Sequence, residues 1–226
     1  MDTSVFWNYK IENIKKMVTV KDEVVMVLNL RYPVFSQDMT EGKDKAFICK
    51  INKFYSHIAE KYSKAILSKY PAKAARIYTS NGKIKLSFLM NCTISFNTQK
   101  LISVFSDLSY FDGNTKKSIR FSQNWSYEKS AILPSSYIFE NTFKSKRYIT
   151  GIITEIATHN MEKRDFSYYS DFDTIIKRKF AFDNFYFVPN GIAFFYNTGV
   201  LSSDALPTVF VIHPEEIDQT LKIFPW

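Results

Sequence analysis

Residues 84–97 read IKLSFLMNCTISFN. Ile84, Leu86, Phe88, Met90, Cys92, Ile94 and Phe96 share one parity, while Lys85, Ser87, Asn91, Thr93, Ser95 and Asn97 hold the other, with Leu89 the exception. Strict alternation predicts a strand with one face in a core and the other mostly in water, because successive side chains of a strand point to opposite faces. Asn97–Lys100 then turns the chain back into Leu101–Tyr110, where Ile102, Val104, Leu108 and Tyr110 share a face. Asp112, Gly113 and Asn114 make a second turn into Lys117–Tyr127. Three consecutive strands joined by short turns predict an antiparallel meander.

Upstream, Asn81 and Gly82 form a turn, and before them Phe47, Ile51, Phe54, Tyr55, Ile58, Tyr62, Ala65 and Ile66 recur at three- and four-residue spacing. That spacing predicts a long amphipathic helix starting near Ala46, which Pro71 stops or kinks before a further turn over Ala72–Tyr78. Ser36–Lys45, with Gly42, reads as a loop, and the apolar run Val24–Leu30 (VVMVLNL) as a buried strand ended by Tyr32 and Pro33. Downstream, Leu133, Pro134 and Ser135 open a short helix over Tyr137–Phe143, and Tyr148, Ile149, Ile152, Ile153 and Ile156 form the stripe of a longer helix reaching Met161. Asp173 is placed to cap a short helix through Ile176–Phe180. Pro189, Asn190 and Gly191 between Phe185–Val188 and Ile192–Tyr196 predict a hairpin. Leu206–Ile212 is a last strand, and Pro214 opens a C-terminal helix over Glu215–Phe224. The expected fold class is α+β: a mainly antiparallel sheet, meander plus C-terminal hairpin, with a long helix in the N-terminal half and further helices packed on it. The expectation is one compact unit over 1–226, its halves lying at about 20–115 and 116–226.

The 226 residues carry 30 Lys and Arg against 22 Asp and Glu, a net charge of +8, with 46% hydrophobic and 17% aromatic residues and only 6 Gly. A chain of this length closes a core without staples, and this composition excludes collagen-like, low-complexity and strongly disordered classes. The positive charge favours acidic partners. The cations are scattered, however, in groups such as Lys116, Lys117 and Arg120, or Lys177–Lys179, so a nucleic-acid interface is disfavoured. Cys49 lies off the main stripe of the long helix and Cys92 within the alternating strand, and neither has a CxxC or His partner nearby, so both read as small structural residues. No run approaches the roughly 18–20 apolar residues of a membrane-spanning helix. Met1–Lys16 lacks the apolar centre of a signal peptide. If Met1 is the natural start, the expected location is the cytoplasm; if the chain is a piece of a longer exported protein, it is the cell surface.

No HExxH, CxxC pair, EF-hand loop, GxSxG, Walker or Rossmann pattern occurs, so no catalytic residue, metal or cofactor is predicted. Glu155 and His159, four apart on one helix, read as a surface pair, and Asp171 and Asp173 as a loop acid and a cap. The residues most open to a partner-binding role are aromatic or apolar: Tyr110, Phe111, Trp125, Tyr127, Tyr168, Tyr169, Tyr196 and Leu201. For most of them packing at the sheet edges is the competing reading, whereas Tyr168, Tyr169 and the segment Tyr196–Ala205 are as readily outside as in.

Taken in order, LRYPVF (30–35), KIN (50–52), KLISVFSDLSY (100–110), LPSSYIF (133–139), FYFVPNGIAFFY (185–196) and VFVIHPEEI (209–217) resemble a bacterial family that pairs two domains of unknown function. That family forms the extracellular part of RsiV-type anti-sigma factors and the N-terminal region of PdaC-type peptidoglycan deacetylases. The resemblance spans most of the chain from Val24 and implies a non-enzymatic binding module. In the anti-sigma proteins the domain grips lysozyme, and in the deacetylases it accompanies a separate catalytic domain. Lysozymes of the hen type are basic, so a chain of +8 disfavours lysozyme as partner and favours an acidic protein or a cell-wall glycan. The alternative is a carbohydrate-active or wall-modifying protein, for which Asp107, Asp112 and Glu140 are available carboxylates and Trp125 and Tyr127 available platforms, and a weaker third reading is nucleic-acid binding through the basic surface.

Overall fold

A computed structural model describes residues 7–36, 41–80, 84–111, 114–140, 142–163 and 165–222. It bears out the mixed α+β class. Six strands form one sheet in chain order: β1 (Tyr9–Val20), β2 (Glu23–Phe35), β3 (Leu86–Asn97), β4 (Leu101–Phe111), β5 (Lys116–Ser126) and β6 (Ala131–Ile132). A second sheet holds β7 (Phe185–Val188), β8 (Gly191–Tyr196) and β9 (Thr208–Ile212) in that order. The chain divides into two compact units, one of Trp7–Thr93 with Ser106–Ser118, the other of Ile94–Phe105 with Ile119 onward.

In the first unit β1 and β2 are an antiparallel hairpin. Its two connecting residues, Lys21 and Asp22, both have positive φ (50° and 63°), the backbone that matches a two-residue turn to strand twist. The sequence carries no Gly there, and this strand was not expected. β2 pairs with β3 in parallel, Met26 opposite Leu86 through Arg31 opposite Asn91. A parallel pair needs a crossover. Helices α1 (Gly42–Lys69) and α2 (Pro71–Ser80) supply it, Pro71 separating them as its missing N–H requires. α1 starts at Gly42, inside the expected loop. Its buried stripe of Phe47, Ile48, Ile51, Tyr55, Ala59 and Ile66 covers a core completed by Val25, Met26, Leu28 and Leu30 of β2 and Leu86, Phe88, Met90 and Cys92 of β3. Leu89, the exception to the alternation, is 43% exposed on the polar face. β2 continues through Pro33 because beyond Arg31 it has no β3 partner, so the absent donor costs no ladder bond on that side. Its end is clamped by Asn52 of α1, whose Oδ1 accepts from the Phe35 N–H (2.8 Å) and whose Nδ2 donates to the Phe35 carbonyl (2.9 Å).

In the second unit β8 has all six residues buried, and Phe185, Phe187, Phe194, Tyr196 and Phe210 join Ile149, Ile153, Ile175, Ile176 and Ile217 in one core. Val188 pairs with Gly191, so Pro189 and Asn190 form the expected turn. A Cβ on Gly191 would run into the Ile212 carbonyl of β9, which is why glycine stands there. β4 differs from a half-wet strand: Leu101, Ile102, Ser103 and Val104 are all buried, both parities alike. The reason is Ser103, whose Oγ donates to Asn124 Oδ1 (2.6 Å) and accepts from the Phe187 N–H (3.0 Å), while Ser122 Oγ and Asn124 Nδ2 donate to the Phe185 carbonyl. Polar side chains thus saturate the β7 backbone against β4 and β5.

The helices of the second unit depart from expectation in their bounds. The short helix α3 is Ser135–Ile138, with Pro134 at its N-cap, rather than Tyr137–Phe143; Phe139 leaves it to bridge Leu221. α4 runs Phe143–Glu162, begun by Thr142, whose Oγ1 accepts from the Ser145 N–H at 3.0 Å. α5 is Phe172–Lys179, so Asp173 lies in its first turn and pairs with Lys177 (3.8 Å), and the cap position falls to Asp171, which makes no side-chain cap bond. The C-terminal helix α6 is only Pro214–Ile217, held by Glu216 accepting from the His213 N–H (2.9 Å) and followed by a 3-10 turn over Asp218–Thr220. The Asn81–Gly82 turn, Asp112 with Gly113, and the expected helix end at Phe224 lie outside the described residues.

Candidate functional site

The N-terminal part of α4 presents two stripes. Ser145, Ile149, Thr150, Ile153 and Ala157 face the core. Lys144, Arg147, Tyr148, Gly151 and Glu155, three and four residues apart, form the other stripe and make one wall of a cleft of about 550 Å³. Glu140, Gln219 and Thr220 make the facing wall. That wall is held by backbone pairing between distant segments: the Glu140 N–H donates to the Thr220 carbonyl (2.9 Å) and the Lys222 N–H to the Ile138 carbonyl (2.8 Å). Thr220 itself is buried, its Oγ1 donating to the Ile217 carbonyl at 2.7 Å.

Two features of this wall are not explained by folding. Gly151 sits mid-helix, where glycine costs roughly 0.5–1 kcal/mol relative to alanine, yet a Cβ there would meet nothing within 4 Å. Its effect is to leave open space in the cleft. The first five residues of α4 include no acid and three cations, Lys144, Lys146 and Arg147, although the positive end of a helix dipole disfavours cations. No ion pair among the described residues involves Lys144 or Arg147. With Tyr148 39% exposed in the same wall, the cleft offers two charged donors and an aromatic face to solvent, with the carboxylate of Glu140 also lining it.

The residues singled out from sequence fare differently. Trp125, Tyr168, Tyr196 and Leu201 are buried, which corrects the expectation that the last three are as readily outside as in. Tyr196 donates its hydroxyl to the Ile176 carbonyl (3.1 Å), and burial pushes its pKa up; Tyr168 packs on Phe166, Phe172 and Phe210. Tyr110 stacks with Tyr70 and Phe88 and accepts from Lys73 Nζ (3.1 Å). Tyr127 is half-buried, while Phe111 and Tyr169 remain exposed at 40% and 39%. Tyr168, Tyr196 and Leu201 share one buried core cluster and so offer no exposed platform. Of the carboxylates, Glu140 lines the cleft, Asp107 is half-buried on β4 and Asp112 lies outside the described residues. Glu155 lines the cleft, and His159 Nδ1 lies 3.9 Å from Glu162 Oε2. Among the described residues no three His, Cys, Asp or Glu gather as a metal site would require, and no helix is long and apolar enough to cross a membrane. Cys92 is buried, with its thiol 3.0 Å from Ser106 Oγ, and burial raises its pKa to about 11, while Cys49 is exposed.

The stripe Lys144–Glu155 was missed in sequence because the apolar stripe of the same helix dominates it. The i, i+3, i+4 spacing of Lys144, Arg147, Tyr148, Gly151 and Glu155 was the available signal.

No known family and no curated protein matches the sequence. Among solved structures, the fold is similar to a DUF3298-family protein from Bacteroides fragilis, with a TM-score of 0.61 at 15% identity over 99% of this chain and 97% of that one. It is also similar to a DUF3298-family protein from Pseudomonas aeruginosa, with a TM-score of 0.58 at 10% identity over 98% and 96%. At such identities the shared feature is the fold over the full length of all three chains: the chain has the architecture of these bacterial domains of unknown function.

Proposed function

We propose that the protein is a non-enzymatic binding module and that its ligand, an anionic glycopeptide of the cell-wall type, seats in the α4 cleft. The observation that carries this reading is Gly151, a helix-interior glycine in the same cleft wall as the exposed ring of Tyr148 and as Lys144 and Arg147, which form no ion pair among the described residues. Two cations suit the carboxylates of such a ligand, an aromatic face suits the apolar face of a sugar ring, and Glu140 and Gln219 accept from hydroxyls and amines. The resemblance to wall-associated binding domains points to the same ligand class.

The test is calorimetric titration with soluble peptidoglycan fragments. Arg147→Glu is expected to weaken binding roughly tenfold to a hundredfold, the worth of a charge-assisted contact. Gly151→Phe is expected to narrow the cleft and abolish binding without loss of thermal stability, because its Cβ meets no other atom within 4 Å and its ring extends toward the cleft. Binding unchanged in both variants overturns the proposal. A second reading, glycoside hydrolysis, draws on Glu140 and Glu155 lining the same cleft. It requires a measurable release of reducing ends that Glu140→Gln and Glu155→Gln each remove.

A further inference from the structure

β1 is an edge strand of twelve residues, paired with β2 on one side and with no strand on the other among the described residues. Such an edge presents a row of backbone donors and acceptors to any strand that fits it. Its side chains are exposed on both faces to an extent that β2 does not share, and three large apolar ones, Tyr9 (42%), Ile11 (37%) and Met17 (53%), lie on the same face. We infer that the occupant of this edge is a second copy of the same chain, with β1 adding antiparallel to β1 about a two-fold axis through Ile14.

Register decides the case. A two-fold axis perpendicular to the sheet keeps the faces matched, so partners must share parity. Centred on Ile14, the strand sets Ile14 opposite Ile14, Glu12 opposite Lys16, and Ile11 opposite Met17, each of the last two pairs occurring twice. The two exposed apolar side chains then cover each other, and opposite charges meet. Glu12, which already accepts an ion pair from Lys10 of its own strand (2.7 Å), gains a second cation. Centred on Asn13, the strand sets Lys10 against Lys16; centred on Lys15, it sets Lys15 against itself. Like charges directly opposite are destabilising, so both neighbouring registers are disfavoured. The irregularity beside Val18 and Thr19 places its extra residue, Val25, on β2, so β1 itself runs without interruption. The matched stretch is Ile11–Met17, small for an interface, so the dimer belongs to the weak class, dissociating in roughly the micromolar range.

Sedimentation equilibrium of the whole chain from about 1 to 500 µM tests this. The expected result is a concentration-dependent monomer–dimer equilibrium. Lys16→Glu and Glu12→Lys alone each place two like-charge pairs across the axis and are expected to weaken it about tenfold or more, whereas the double exchange restores the pairing. In a Cys49→Ser background, Ile14→Cys is expected to cross-link on oxidation, since opposed Cα atoms lie about 4.5–5.5 Å apart. Met17→Cys, far from its own copy across the axis, is not. A monomer at every concentration, a dimer indifferent to both charge reversals, or a monomer that instead takes up an extended peptide along β1 overturns the inference.

Discussion

β8 and β1 are both paired strands, and their circumstances are opposite. β8 lies between β7 and β9, and every one of its six residues is buried; β1 has one neighbour and none of its residues is buried. In β8 the side chains determine everything: the continuous run GIAFFY belongs between two neighbours, and Gly191 leaves room for a carbonyl. In β1 the partner strand determines everything, since a strand with lysines on both faces has little core to gain. What β1 retains is a backbone edge, and its side chains set which strand can use it. Burial thus separates the parts that hold the fold from the parts left to meet something else.

The largest expected effect breaks the buried side of this contrast. Phe194 packs on Phe139 and Phe180 at ring separations of 5.6 and 5.5 Å and is 1% exposed. Phe194→Ala is expected to cost about 3–5 kcal/mol in denaturant unfolding. Met17→Ala in β1, measured on dilute protein, is expected to stay within about 0.5 kcal/mol.

A second effect comes from Cys92, buried on β3. Burial pushes its thiol up to about 11, above the ordinary thiol value, so the folded state holds the proton more tightly than the unfolded one. Its contribution to stability is therefore full below about pH 9 and is lost as pH rises through 11, a fall of about 2–3 kcal/mol. Cys92→Ala is expected to flatten that part of the stability–pH curve, as measured by urea unfolding at each pH. Cys49, exposed on α1, is expected to react with a thiol reagent in the native protein while Cys92 does not.

A smaller effect of about 1–3 kcal/mol is expected from Ser103→Ala, which strands the Phe187 N–H and the Asn124 side-chain Oδ1 in the interior. Gly151→Ala sharpens the contrast from the other side: at an exposed wall, filling the gap is expected to stabilise the chain by roughly 0.5–1 kcal/mol. The same change raises the melting temperature while narrowing the cleft.

Much of the fold was legible because its signals were local. The alternation of 84–97, the spacing from Phe47 to Ile66 and the Pro-Asn-Gly turn each reported one element. KIN and LRYPVF, two of the segments that carried the resemblance, prove to be in contact: Asn52 binds both backbone groups of Phe35. β1 was illegible because its exposed pattern lacks a hydrophobic period and its turn is built from Lys21 and Asp22 rather than glycine. The parallel pairing of β2 with β3 depends on contacts across the whole crossover, which short-range pattern does not report. The cleft was half legible. The α4 stripe is periodic, but Gln219 and Thr220 reach it through pairing with residues some eighty positions earlier, as the Lys222 side chain shows by donating to the Ser136 carbonyl at a separation of 86.

The central claim is that the α4 wall binds. Amide chemical shifts of isotopically labelled protein, followed as soluble peptidoglycan fragments are added, test it most directly. The account predicts saturable changes confined to Lys144–Glu155, Glu140 and Gln219–Thr220, and their disappearance in Gly151→Phe. Changes elsewhere with none along α4, or changes that survive Gly151→Phe, would contradict it.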